Sequence, residues 1–119
     1  MEYNFLEVSG KSYLGITLFC QDIDAYTRRD TEKIRDMDVG MLPPKLAQIM
    51  IHLACEGESI SSLYDPFVGL GTIPIEALNM GMLRVMGSDR VQKMVDATHT
   101  NIIAFQEEEE KWASRIRAR

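Results

Sequence analysis

Asp65-Pro66-Phe67-Val68-Gly69-Leu70-Gly71-Thr72 is the stretch on which the reading of this chain turns. Ser62-Leu63-Tyr64-Asp65 just before it reads as a short strand, so a carboxylate stands at a strand's end. Gly69 and Gly71 let the backbone turn sharply and approach a ligand without a Cβ in the way. A helix is expected from about Thr72 to Met80, with Pro74 in its first turn and Gly81 at its end. Its N–H groups and positive dipole end would face whatever lies in the turn. Leu83 to Gly87 is a second apolar strand closed by Ser88-Asp89, and Asp89 falls seventeen positions after Thr72. A long helix follows from near Arg90. Val91, Met94, Val95, Thr98, Ile102 and Phe105 mark its apolar side, and a Glu107–Lys111 pair carries it onward. Strand, helix, strand, helix at this spacing predicts a βαβα unit with a parallel strand pair.

Outward from this centre the signals are simpler. Residues 3–8 and 13–20 are rich in aromatic and β-branched side chains, with turn chemistry at 9–12, which predicts a β-hairpin. Residues 22–40 are polar and read as a surface loop or short helix. There Arg28, Arg29 and Arg35 either pair in solvent with Asp30, Asp36 and Asp38 or make a polyanion contact in a full-length ancestor. Pro43-Pro44 opens a helix whose buried face is expected at Leu46, Ile49, Met50 and Leu53, with Gly57 as its stop. Met37, Met41, Met50, Met80, Met82, Met86 and Met94 are expected to fill the core. Glu107 to Glu110 reads as a solvated helix face. Trp112, Ile116 and Arg115, Arg117 and Arg119 read as a covering helix face or a chain terminus.

Composition bounds the partners. The chain has 119 residues, 45% hydrophobic and 26% charged, which fits one folded domain. Thirteen Lys and Arg against 18 Asp and Glu give −5, which disfavours a general grip on polyanions and leaves room only for a local basic patch. No apolar run is long enough to span a membrane, and Met1 to Gly10 lacks the plan of a secretory signal. Cys20 and Cys55 read as free thiols of a reducing cytoplasm. His52 and His99 stand without metal-ligand spacing, so no metal site is expected.

Two strand-end acids, Asp65 and Asp89, beside a glycine turn describe a nucleoside crevice. No P-loop sequence occurs, and Pro74 stands where a dinucleotide fold needs its third glycine. An acid ahead of the turn would also repel a pyrophosphate. A cationic cofactor with an amino-acid tail suits these residues better. S-adenosylmethionine has an ammonium for Asp65, a ribose for Asp89 and a methionine chain for the glycine turn.

The eight-residue stretch resembles motif I of amino-group methyltransferases, which methylate exocyclic nitrogens of nucleic acid bases. Arg29-Asp30, Arg35-Asp36 and Gly40-Met41-Leu42-Pro43-Pro44-Lys45-Leu46-Ala47-Gln48-Ile49-Met50-Ile51 are similar to the segment before motif I in THUMP-associated tRNA guanine-N2 methyltransferases. Gly87-Ser88-Asp89 fits motif II of the same group. The resemblance covers roughly residues 13–105. It implies a partial Rossmann-like fold, an α/β architecture of hairpin plus βαβα unit that binds S-adenosylmethionine. It implies that Asp65, Pro66, Phe67, Gly69 and Gly71 line the methionine side and that Thr72 starts the helix beneath. It implies that Asp89 binds the ribose, that Arg90 flanks the adenine, and that Gly40, Met41, Leu42 and Pro43 close the methionine end. Val68 replaces a frequent cysteine, and Leu70 a frequent small residue. The family's catalytic [Asp/Asn]-Pro-Pro-[Tyr/Phe] tetrad is absent, since Leu42-Pro43-Pro44-Lys45 lacks both the acid or amide and the aromatic ring.

The expectation is therefore a single truncated methyltransferase domain, with residues 1–40 as hairpin and linker and 41–119 as the cofactor-binding half. It would have no catalytic residues of its own, and tRNA would be the partner of the full-length family. The competing expectations are an assembly module that dimerises or pairs with a catalytic subunit or missing C-terminal half, and a small active methyltransferase with an unrecognised base site.

Overall fold

The computed structural model of the chain describes residues 2–31 and 40–117, with side chains described up to 111. Lys33, Arg35, Asp36, Met37 and Asp38 lie outside the described residues, as do the side chains of Trp112, Arg115, Ile116 and Arg117 and all of Arg119.

Strands β1 (Tyr3–Val8) and β2 (Lys11–Ile16) form an antiparallel hairpin in which Val8 pairs with Lys11 and Tyr3 with Ile16. Ser9 and Gly10 both have positive φ, 52° and 73°, the signature of a two-residue primed turn whose twist suits a hairpin. The tight turn corrects the expected strand over 13–20. It uses only Ser9 and Gly10, so Lys11 and Ser12 already pair with Val8 and Glu7, and the strand ends at Ile16.

Helix α1 (Ile23–Thr31) resolves the choice between loop and short helix. Asp22 Oδ1 accepts the Ala25 N–H at 2.9 Å and so caps the first turn. Helix α2 (Pro44–Cys55) begins where the proline pair predicts, after an extended Pro43, and closes on Glu56 in the left-handed region.

The buried face of α2 is not the expected one. Pro44, Ala47 and Ile51 are buried, whereas Leu46, Ile49, Met50 and Leu53 are 44%, 47%, 45% and 73% exposed. The helix carries two apolar stripes, and the one with the smaller residues packs. Ala47 and Ala77 of the following helix are both fully buried, so these two helices approach closely over side chains that take little room.

Strand β3 (Ser62–Asp65) and strand β4 (Arg84–Gly87) pair in parallel, Ser62 with Arg84 and Asp65 with Gly87. Helix α3 (Thr72–Asn79) connects them, and α4 (Gln92–Arg117) follows. This is the expected strand–helix–strand–helix order, and the molecule is a mixed α/β fold consistent with part of a Rossmann-like domain. Ile51, Ala77 and Met82 form the core, with Cys55, Leu63, Ile73, Met80 and Val85 packed against them. Of the expected methionine fillers, Met82 and Met94 are buried. Met50 and Met86 are exposed, because Met50 lies on the open side of α2 and Met86 on the open side of β4. Both cysteines are free, and among the described residues no helix is long and apolar enough to cross a membrane.

Candidate functional site

The carboxyl ends of β3 and β4 are tied together by backbone bonds. Ser88 N–H donates to Asp65 O and Val68 N–H donates to Ser88 O, each at 2.9 Å. Asp65 is 8% exposed, and its Oδ1 accepts the Phe67 N–H at 3.0 Å, an Asx turn that bends the chain just past the strand. Gly69 and Gly71 both have positive φ, 53° and 87°, as the sharp turn requires. Gly71 N–H donates to Val68 O at 2.8 Å and closes the turn onto α3.

Helix α4 holds this loop from behind. Thr98 Oγ1 donates to Gly69 O at 2.8 Å, and Asn101 Nδ2 donates to Leu70 O at 2.9 Å. A Cβ on Gly71 would stand 2.9 Å from Thr98 Cγ2, so Gly71 gives α4 its close approach. A Cβ on Gly87 would stand 2.6 Å from Val68 Cγ2, so the valine at that position is accommodated by a glycine on β4. The helical spacing puts Thr98 on the apolar side of α4 and assigns Asn101 no role. A signal for both existed: each is a polar residue in register with Met94 on the buried face, and a buried polar group needs a partner.

Asp89 serves both the loop and the helix. Its Oδ2 accepts the Gly69 N–H at 3.1 Å and its Oδ1 accepts the Val91 N–H at 3.0 Å. The Val91 and then the Gly69 hydrogen bonds hold its carboxyl below the ordinary value of 3.8, so it is ionised at neutral pH. Each carboxylate oxygen keeps a further lone pair, so the group can accept hydroxyl donors without releasing the loop. The Asx turn on Val91 also explains why α4 starts at Gln92 rather than near Arg90.

A small open cavity lies beside the loop. Gly40, Met41, Leu42, Asp65, Phe67, Gly69 and Thr72 line it, together with Val68, Leu70 and Ile73. Two segments far apart in sequence, the stretch before α2 and the glycine loop, thus meet at one cavity. The other candidates lie around it. Pro43 is the exposed residue before α2, Pro66 and Arg90 are exposed, Gly71 is buried against Thr98, and Asp89 borders the cavity through Gly69. Among the described residues no group of three or more His, Cys, Asp or Glu is placed to hold a metal ion.

The basic cluster of α1 is corrected by the structure. Arg29 neither sits in solvent nor reaches outward. Its Nε donates to Glu76 Oε1 of α3 at 2.9 Å, with the Glu76 side chain fully buried and that of Arg29 13% exposed. Gln48 Nε2 donates to the other oxygen of Glu76 at 2.7 Å, and Tyr26 OH donates to Gln48 Oε1 at 2.6 Å. Arg28 stays on the surface, and Arg35 lies outside the described residues.

Residues 32–118 match the family described as UPF0020, RMKL-like, methyltransferase domain. The chain belongs to this family. No curated protein matches it. The matched span of the UPF0020 domain contains every residue that lines the cavity, as well as Asp89, Thr98 and Asn101. The β1–β2 hairpin and α1 precede it.

Proposed function

We propose that this methyltransferase-family chain binds S-adenosylmethionine and is the cofactor-binding portion of an RNA methyltransferase, of the THUMP-associated tRNA guanine-N2 type. The supporting observation is the convergence of Asp65, Gly69 and the Gly40–Leu42 segment on one crevice, with Asp89 hydrogen-bonded to Gly69 at its border. The donor set fits the cofactor part by part. Asp65 offers a carboxylate to the ammonium, and the positive-φ glycines leave room beside the methionine chain. Asp89, already ionised, offers free lone pairs to the ribose hydroxyls. On this reading Arg90 flanks the adenine, while Pro43 and Pro66 complete the methionine side. When bound, the cofactor supplies an electrophilic methyl group on its sulfonium.

Within the 119 residues no [Asp/Asn]-Pro-Pro-[Tyr/Phe] tetrad occurs, so we assign this chain cofactor binding and no methyl transfer of its own. RNA as the partner and the cytoplasm as the compartment belong to the same proposal and rest on the motif resemblance. Calorimetry with S-adenosylhomocysteine tests the binding, and tritium transfer to unmodified tRNA tests the assignment of no activity. Saturable heat without transfer is expected. Transfer to tRNA would replace this assignment with that of a small complete enzyme.

A second reading, a non-catalytic module that pairs with another copy of the chain, is favoured by one observation. Tyr3, Phe5, Leu14 and Ile16 share one face of the hairpin and are 60%, 70%, 71% and 50% exposed. Large contiguous apolar surface marks interaction sites. Sedimentation equilibrium decides it: a dimer at micromolar concentration supports this reading, and a clean monomer removes it.

A further inference from the structure

Tyr26, Arg29, Gln48 and Glu76 form a closed ring of contacts across α1, α2 and α3. Arg29 and Gln48 each take one oxygen of the Glu76 carboxylate, Gln48 accepts the Tyr26 hydroxyl, and the Arg29 guanidinium lies 4.8 Å from the centre of the Tyr26 ring. The donor pattern admits one sense only. A carboxylate cannot donate, so the Gln48 amide must turn its nitrogen to Glu76 and its oxygen to Tyr26. Three helices are thereby locked in one arrangement, α1 through Tyr26 and Arg29, α2 through Gln48 and α3 through Glu76.

The ring stands one helical turn behind the crevice. Glu76 follows Thr72 by four residues, and Gln48 follows Pro44 by four, so each shares a helix face with the residue that begins its helix. Thr72 lines the cavity, and Pro44 is preceded by the Gly40–Pro43 segment, whose first three residues line it from the other side. Among the described residues, Gly40, Met41 and Leu42 make no hydrogen bond to the glycine loop. Their placement opposite Asp65 is inherited from where α2 stands. The bond from Gln48 to Glu76 fixes α2 against α3, the helix that continues from that loop.

We infer that Gln48, held by Tyr26, is a positioning residue for the cofactor crevice: through Glu76 it sets the separation between the Gly40–Leu42 segment and the glycine loop. The inference rests on the proposal that the crevice binds an adenosyl cofactor. It extends that proposal to residues that touch no ligand. Arg29 joins α1 to Glu76 of α3, and Gln48 adds a directional hydrogen bond between the packed helices α2 and α3. Displacement of a ligand-holding segment by about an ångström is enough to cost large factors in function.

The test leaves the buried ion pair intact, because removal of one partner strands the other charge and endangers the fold. Tyr26→Phe and Gln48→Leu in the full chain are titrated calorimetrically with S-adenosylhomocysteine beside the wild type, and each is unfolded in urea. Amide exchange at Met41 and Leu42 is compared with that in α3. Binding weakened by about tenfold or more is expected in both variants, with cooperative unfolding retained and faster exchange confined to Met41 and Leu42. A smaller loss of affinity, or exchange that rises equally in α3, overturns the inference. Loss of cooperative unfolding in both variants also overturns it, since the ring would then be a general support. Absence of heat in the wild type itself is a separate outcome: it removes the cofactor reading, and the inference with it.

Discussion

Gly71 and Gly81 have the same backbone φ of +87° and differ in what stands behind them. Nothing lies within 4 Å of a Cβ on Gly81, whereas one on Gly71 meets Thr98 at 2.9 Å. The left-handed strain is common to both and costs about 1–2 kcal/mol for a side chain. Gly81→Ala should therefore lose roughly that much stability. Gly71→Ala should lose about 1–3 kcal/mol more from overpacking, as urea unfolding would show. Thr98→Ser removes the nearest methyl and should return part of the difference when combined with Gly71→Ala. Equal losses at the two glycines would mean that α4 does not clamp the loop. Asp89 gives a pH test. Its folded value lies below the unfolded 3.8, so its contribution is present above that value and is lost as pH falls through the folded one. The stability gap between wild type and Asp89→Asn should be constant near neutral pH and shrink in acid below that ordinary value. A gap that does not change with pH would mean that Asp89 makes no bond to the loop in solution.

Helix α2 shows where local pattern stops being informative. Its start at Pro44 and its end near Gly57 are written in local chemistry, and both are found within a residue or two. Its buried side is not, because Leu46, Ile49 and Met50 repeat at the same helical spacing as Ala47 and Ile51. Only the approach of α3 decides between the stripes. Ile51→Ala should cost about 2–5 kcal/mol, and Leu53→Ala less than about 1 kcal/mol, in urea unfolding. The reverse order would place the core on the other side of the helix. The same limit holds for the site. Asp65, Gly69 and Asp89 are legible because each sits next to its own turn or strand end. Thr98, Asn101 and Glu76 act on partners 29, 31 and 47 residues away, and no local spacing reports such distances.

The whole molecule is more extended than its length requires. Its radius of gyration is 18.1 Å, against about 13–14 Å for a compact domain of this size. Helix α4 alone runs for 26 residues. Two-stranded hairpins are marginal in water unless something covers them. Amide exchange should accordingly be fast across β1 and β2 and slow across β3, β4 and the α3 helix. Comparable protection in both sheets would indicate that the apolar face of Tyr3, Phe5, Leu14 and Ile16 is covered in solution, as by a second copy.

The ends of β3 and β4 are proposed to form a crevice for an adenosyl cofactor. Calorimetric titration of the full chain with S-adenosylhomocysteine at neutral pH, wild type beside Asp89→Ala, tests it most directly. The account predicts saturable one-site binding by the wild type. It also predicts a loss of about ten- to a hundredfold in the variant, the value of hydrogen bonds to a charged group. No heat at millimolar ligand from a wild-type chain that unfolds cooperatively, or equal affinity in the two proteins, would contradict it.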